Sequence, residues 1–109
     1  MKQESINRIE VLDTGELFLG LESQGQPVYE YIYRAAVGVY WDQDEIGFKS
    51  TPMKEQSCLQ WFKQIVTAAR SELGVELKLG SDVIWLNVPA QQKTEIQREA
   101  ADKIQASSR

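Results

Sequence analysis

Hydrophobic and polar residues alternate along the first 21 residues in a pattern that predicts a β-hairpin. The apolar positions are Ile6, Ile9 and Val11 in the segment SINRIEVL and Leu17, Leu19 and Leu21 in the segment ELFLGLES. Between the two segments lies DTG, whose glycine can adopt the positive φ that tight turns require. We therefore expect two antiparallel strands, with Phe18 on the face opposite the three leucines.

The stretch VYEYIYRAAVGVYW, residues 28–41, also alternates with a period of two. One set of alternate positions contains no charge and consists of Tyr29, Tyr31, Tyr33, Ala35, Val37, Val39 and Trp41. The other set contains Glu30 and Arg34. This pattern predicts a strand whose tyrosine row is covered by protein. Fourteen extended residues would span roughly 46 Å, so a bulge or bend is expected at residues 35–36 or at Gly38. After the turn DQD, EIGFKS predicts a short strand.

The strongest helix signal lies between Thr51 and Gly74. Apolar residues recur there with helical spacing at Cys58, Phe62, Ile65, Val66, Ala69 and Leu73. We expect Thr51 to cap the helix, Pro52 to occupy its first position, and Gly74 to end it. This segment therefore predicts a long helix over residues 52–73 with one buried stripe.

The last third of the chain predicts a second hairpin and a second helix. VELKL and VIWLNV read as strands separated by the turn GSD, and VIWLNV is apolar on both faces. After Pro89, the segment AQQKTEIQREAADKI is rich in helix formers, and its apolar stripe is narrow: Ile96, Ala100 and Ile104. Residues 105–109 are expected to fray.

These elements predict one α+β domain that spans residues 1–109. The expected sheet is antiparallel, with about four N-terminal strands and the later hairpin. It packs on one long helix, and a second helix follows at the C-terminus.

The composition argues against most kinds of chemistry. The 109 residues include no histidine and one cysteine, which removes the commonest general base and any multi-cysteine metal site. The net charge of −4, with scattered Lys and Arg, argues against nucleic-acid binding. We therefore predict that the protein is not an enzyme, that it has no catalytic residues, and that it needs no metal or cofactor.

Two local motifs resemble functional sites but lack residues that such sites need. The segment DQDEIG, residues 42–47, has acids at the first and third positions of a calcium loop, but Ile46 and Met53 stand where the fifth and twelfth ligands belong. Cys58 lies near a predicted helix N-terminus, which lowers the pKa of a thiol. It also falls on the apolar stripe, and no histidine can activate it, so a buried inert thiol is expected.

The aromatic residues are the remaining candidates for a binding surface. Tyrosine and tryptophan are enriched at interfaces because their apolar rings end in a polar group. The candidates are Tyr29, Tyr31, Tyr33, Trp41 and Trp61. The sequence alone leaves three interpretations of the tyrosine row open: core, subunit interface or ligand surface.

We therefore predict a small cytoplasmic binding or assembly module that acts through an aromatic sheet face and self-associates, most simply as a homodimer. One alternative is an immunity- or inhibitor-type protein whose acidic surface docks on a basic protein partner. Another is a small-molecule pocket between sheet and helix. No apolar run is long enough to span a bilayer, and the first residues do not resemble a signal peptide, so no membrane association is expected.

Overall fold

A computed structural model describes residues 2–52 and 57–107 of the chain, and it describes side chains as far as residue 100. Five strands form one sheet, and the helices pack on one of its faces. The strands are β1 (Lys2–Val11), β2 (Leu17–Leu21), β3 (Val39–Asp42), β4 (Gly47–Ser50) and β5 (Val75–Leu86). The helices are a 3₁₀ helix (Pro27–Arg34), α1 (Cys58–Ala68) with a π-helical turn (Ala69–Leu73) after it, and α2 (Ala90–Ser107).

The predicted α+β class is confirmed, but the sheet is mixed rather than antiparallel. Its strand order is β3-β4-β2-β1-β5. The β1–β2, β2–β4 and β3–β4 pairs are antiparallel, whereas β1 and β5 run parallel. Parallel pairing requires a long crossover connection, which here contains α1.

The first hairpin forms as the alternation predicts. The three leucines of β2 pack in the core together with Ile6 and Ile9 of β1, and all five side chains are buried. Gly15, in the connecting turn, adopts φ of 90°. The hairpin therefore supplies the centre of the inner, helix-covered face.

The predicted second hairpin is wrong, because GSD does not turn the chain. Residues 75–86 form one strand, and the register against β1 shifts from Ile6 opposite Leu79 to Arg8 opposite Ile84. The segment between them is a bulge that β5 accommodates while it continues in the same direction. The segment VIWLNV is also less buried than predicted, since Ile84 and Leu86 are exposed.

The predicted strand over residues 28–41 is also wrong over most of its length. Residues 27–34 form the 3₁₀ helix, which has three residues per turn. Tyr29 and Ile32 therefore share the buried side, whereas Tyr31 and Tyr33 fall on the other two sides. The expected break near Gly38 does occur, as a turn in which Gly38 adopts φ of 86°.

The helical stripe of α1 is confirmed, but α1 begins later than predicted. Ser57, not Thr51, is the N-cap: its hydroxyl accepts a hydrogen bond from the Gln60 backbone N–H, and the Gln60 side chain accepts one from the Ser57 N–H. Residues 53–56 of the predicted helix lie outside the described residues. Gly74 ends the helical segment in the left-handed conformation, as predicted.

The core lies between the inner face of the sheet and the helices. Phe62, Ile65 and Val66 of α1 are buried against it, as predicted, and α2 contributes the fully buried Ile96. Residues 108 and 109, the end of the predicted frayed tail, lie outside the described residues, so the fraying stays a prediction.

Candidate interaction surface

Three of the five candidate aromatic residues belong to the core. Tyr29, Trp41 and Trp61 are all buried. The Tyr29 and Trp41 rings meet edge to face with their centroids 5.3 Å apart, and the Trp41 ring packs in the same way on Phe48 at 4.9 Å. Because of these contacts, Tyr29 and Trp41 belong to the core, which supports the exposed residues above it.

Trp61 packs beneath the turn that follows the 3₁₀ helix. A Cβ atom at Gly38 would lie 3.2 Å from the Trp61 ring and 3.0 Å from the Thr51 hydroxyl. The backbone of Gly38 therefore lies directly on the indole. Trp61 therefore supports this turn on α1, and its buried ring is not available to a ligand or a partner.

A buried polar pair anchors the 3₁₀ helix to β1. The Tyr29 hydroxyl donates a hydrogen bond to the Glu4 carboxylate at 2.5 Å, and both residues are buried. Burial, and next the bond to Glu4, raise the pKa of Tyr29 far above its usual value. The tyrosine therefore stays protonated and keeps donating throughout the physiological range.

The other two tyrosines are exposed, together with two valines. We define the tyrosine patch as Val28, Tyr31, Tyr33 and Val37, which are 45%, 40%, 55% and 89% exposed. The Tyr31 and Tyr33 rings lie 6.5 Å apart, centroid to centroid. Seven large hydrophobic residues are exposed in the described chain, and four of them belong to this patch.

The tyrosine patch has charges of both signs at its rim. The Arg34 guanidinium lies over the Tyr31 ring at 4.2 Å and faces the Glu72 carboxylate at 3.9 Å. Glu30, on the same 3₁₀ helix, is exposed. The patch therefore combines exposed apolar side chains with charges of both signs, a mixture that protein interfaces also show.

The opposite face of the sheet, which no described helix covers, has a different character. There the Phe18 ring packs closely on the glycines of β2 and β4, and the Arg8 guanidinium lies 4.5 Å from the ring centroid. Arg8 also approaches Glu45 at 3.4 Å. A cleft of about 550 Å³ lies beside this stack, and Glu22 and Asp82 add acidic groups to its lining. The sequence also suggested that an acidic surface of this protein docks on a basic protein partner. The acidic groups of this face suit that alternative, which stays a prediction.

Two carboxylates of the open face are held by neighbouring donors. The Asp42 carboxylate lies 2.7 Å from the Lys49 ammonium, whose hydrogen bond holds the pKa of Asp42 below its usual value. The hydroxyls of Tyr40 and Thr14 donate to Glu16 and lower its pKa in the same way. Stabilised carboxylates and a protonated tyrosine are poor bases and poor nucleophiles at neutral pH.

The two motifs rejected from the sequence have structural explanations. The Asp42 carboxylate accepts hydrogen bonds from the backbone N–H groups of Asp44 and Glu45, so DQDEIG closes a hairpin turn. Cys58 is buried, and burial raises the pKa of its thiol. Within residues 2–52 and 57–107 no group of three His, Cys, Asp or Glu residues could hold a metal ion, and no helix there is long and apolar enough to cross a membrane.

One exposed apolar segment was not anticipated from the sequence. Ile84 and Leu86, on the free edge strand β5, are 56% and 40% exposed. The sequence predicted this strand to be apolar on both faces and therefore well buried. The missing signal was tertiary: no element of the described residues covers the open face of the sheet at this strand.

Comparisons with known proteins identify relatives of the chain. Residues 21–82, more than half of the sequence, match the family described as integron cassette protein Hfx_Cass5. A solved structure of an integron cassette protein, Hfx_Cass5, from the mobile metagenome of the North West Arm Sewage Outfall is 39% identical to this chain. That match covers 93% of this chain and 98% of the other, with a TM-score of 0.41. No curated protein matches.

Proposed function

The chain belongs to the integron cassette protein family Hfx_Cass5, and for this member we propose a non-enzymatic role as an assembly module that self-associates through its tyrosine patch. The description of the family names no activity, so the proposal depends on the surface of this chain. One observation carries it: four of the seven exposed large hydrophobic residues of the described chain lie within ten consecutive residues. Such clustering marks interaction sites on soluble proteins.

The partner that fits this patch is a second copy of the chain. A two-fold interface brings the same patch of both copies together, so the patch must be complementary to itself. Here the centre is apolar and the rim has both Arg34 and acidic groups, Glu30 and Glu72. A two-fold axis through the centre can place the arginine of each copy near an acid of the other.

The support beneath the patch suits a rigid interface. The buried side of the 3₁₀ helix is held by Tyr29 and Ile32, and the hydrogen bond to Glu4 fixes the helix to β1. A surface whose conformation is set before binding loses less entropy when it binds. The predicted homodimer is therefore retained as the proposal, with the 3₁₀ helix in place of a sheet face.

Sedimentation velocity at about 5 and 50 μM tests the proposal. The wild-type chain should approach the mass of a dimer at the higher concentration. Tyr33→Glu should remain folded, because Tyr33 is more than half exposed, and should sediment as a monomer at both concentrations. Association would bury the new carboxylate in the interface without a partner, and the cost of removing that charge from water opposes dimer formation.

Thr67→Glu is the matched control, because it adds the same charge at an exposed position of α1. It should leave the dimer intact. A wild-type chain that is monomeric at both concentrations, or a Tyr33→Glu chain that dimerises as the wild type does, would overturn the proposal. Circular dichroism and thermal unfolding confirm that each variant is folded.

A further inference from the structure

The free edge of the sheet contains a segment that lacks the usual protection of edge strands. β5 is the last strand of the sheet, and it pairs with β1 on one side only. Within the described chain, residues 83–86 make no backbone hydrogen bond outside that ladder. Exposed edges of this kind pair readily with other strands, so most proteins guard them with charges, prolines or bulges.

In β5, the features that oppose pairing with another strand are confined to the first part of the strand. Glu76 and Lys78 are charged, and the bulge between Leu79 and Ile84 interrupts the ladder. The segment from Val83 to Val88 contains no charge and no proline. The strand ends at Leu86, since Asn87 adopts a positive φ of 59°. Because Ile84 and Leu86 are also exposed, residues 83–86 can extend the sheet where the first part cannot.

We propose that two copies of the chain pair the ends of their β5 strands antiparallel about a two-fold axis at Trp85, which joins the two sheets into one. In this register Ile84 of one copy faces Leu86 of the other, on the open face of the sheet. Directly opposite side chains of antiparallel strands lie on the same face, about 4.5–5.5 Å apart at Cβ. Each exposed apolar side chain therefore covers the other.

The register itself fits a second copy as the occupant of this edge, because Ile84 and Leu86 are both exposed and would cover each other, and the charges of the strand permit this pairing. The nearest charge to the axis on the strand is Asp82, three residues from Trp85. At about 3.3 Å per residue, the two Asp82 residues lie roughly 20 Å apart in an antiparallel pair. This separation exceeds the Debye length at physiological salt, so their repulsion is screened.

The helices permit the same register. Lys93 lies over the Trp85 ring at 5.5 Å, and Gln97 lines a cleft with Leu79, so α2 runs back along its own β5. In an antiparallel pair that overlaps only at the ends of the strands, the two α2 helices lead away from the axis in opposite directions. The helix layers of the two copies therefore meet only near Trp85, where the two Lys93 side chains bring like charges together and weaken the pair.

The pairing is short, so we expect weak association that is separate from the tyrosine patch. Sedimentation of the Tyr33→Glu variant up to about 1 mM isolates it, because that variant cannot use the patch. In this background the chain should form dimers, and adding Ile84→Lys should weaken the association at least about tenfold. Adding Thr67→Lys is the control and should have no effect.

Cross-linking tests the register. In a Cys58→Ala background, the double variant Ile84→Cys, Leu86→Cys should form a covalent dimer under mild oxidation, since the two positions face each other across the axis. Ile84→Cys alone should link far more slowly. A Tyr33→Glu chain that stays monomeric to 1 mM, an Ile84→Lys variant that associates normally, or fast linking by Ile84→Cys alone would overturn the proposal.

Discussion

The Tyr29 hydroxyl and the Glu4 carboxylate form a buried hydrogen bond of 2.5 Å that joins the 3₁₀ helix to β1. The helix and the strand lie far apart in sequence, and this bond is the polar contact beneath the tyrosine patch. A buried carboxylate that loses its donor keeps the cost of desolvation without compensation.

Tyr29→Phe should therefore lower the free energy of unfolding by about 1–3 kcal/mol. Glu4→Gln should cost less, since the amide oxygen can still accept the hydrogen bond. Chemical denaturation measures both changes, and Tyr33→Phe, on the exposed side of the same helix, is the control. Equal losses from Tyr29→Phe and Tyr33→Phe would contradict the assignment of Tyr29 to the core.

Two tyrosines make the protein sensitive to alkaline pH. Burial, and next its bond to Glu4, raise the pKa of Tyr29, and burial with a bond to Glu16 raises the pKa of Tyr40 to about 12. Above pH 10, the usual value, the unfolded chain loses these protons while the folded chain retains them. The free energy of unfolding should thus be fully maintained below pH 10 and should fall as the pH rises toward 12.

Denaturation in urea between about pH 8 and pH 11.5 tests this dependence. Tyr40→Phe removes one of the two groups, so its stability should fall less steeply over the same range. An identical slope in the wild type and the Tyr40→Phe variant would show that the Tyr40–Glu16 contact has no part in it.

The start of α1 provides a third prediction. Ser57 caps the helix with a reciprocal pair of hydrogen bonds, so Ser57→Ala should cost about 1 kcal/mol. Thr51→Ala should change the stability by less than about 0.5 kcal/mol, because Thr51 is exposed and is not the cap. The reverse order in thermal denaturation would favour the helix start predicted from the sequence.

The close packing of Phe18 on the glycines gives a fourth prediction. A Cβ atom at Gly47 would lie 2.5 Å from the Leu19 carbonyl oxygen and 2.6 Å from the Phe18 ring. Gly47→Ala should therefore destabilise the protein by about 1–3 kcal/mol or more. A Cβ atom at Gly74 would meet no other atom within 4 Å. Gly74→Ala should therefore lower the free energy of unfolding by only about 1 kcal/mol, because the residue has a positive φ.

A double variant checks the cause of the Gly47 effect. If the Phe18 ring contributes to the clash, Gly47→Ala combined with Phe18→Ala should cost less than the sum of the two single changes. Strict additivity would assign the whole effect to the Leu19 carbonyl.

The sequence predicted the secondary structure and the buried face correctly where apolar residues repeat with a single period over a long segment. The stripe of α1 through Phe62 and Ile65 repeats over several turns, and the leucines of β2 alternate without interruption. In both segments the local pattern and the tertiary burial agree, so the predictions for these elements were confirmed.

The tyrosine row misled because two periods fit the same residues. Tyr29, Ile32 and Ala36 have the helical spacing of three and four, and these are the residues that the structure buries. The alternating tyrosines also fit a strand, because tyrosine has a high strand propensity. The proline at the first position of the 3₁₀ helix is the local signal that favours a helix.

Features that depend on distant partners could not be predicted from local pattern. Arg8 and Phe18 stack because β1 and β2 pair. The Phe18 ring also packs on Gly47, which belongs to a third strand, β4. The bulge in β5 is defined by its register against β1, whereas the Gly-Ser-Asp sequence by itself is typical of a turn.

The parallel pairing of β1 with β5 also sets an order of events during folding. Lys2 lies opposite Val75, so the pair closes a loop of 73 residues, the difference between the two positions. Contacts of such long range slow folding, because the entropy of the loop is lost before the contacts form. On the ribosome, at about 5–20 residues per second, β1 waits several seconds for its parallel neighbour to be synthesised. Until then the first hairpin has an open edge, and a cell that makes this protein quickly must keep many such edges apart.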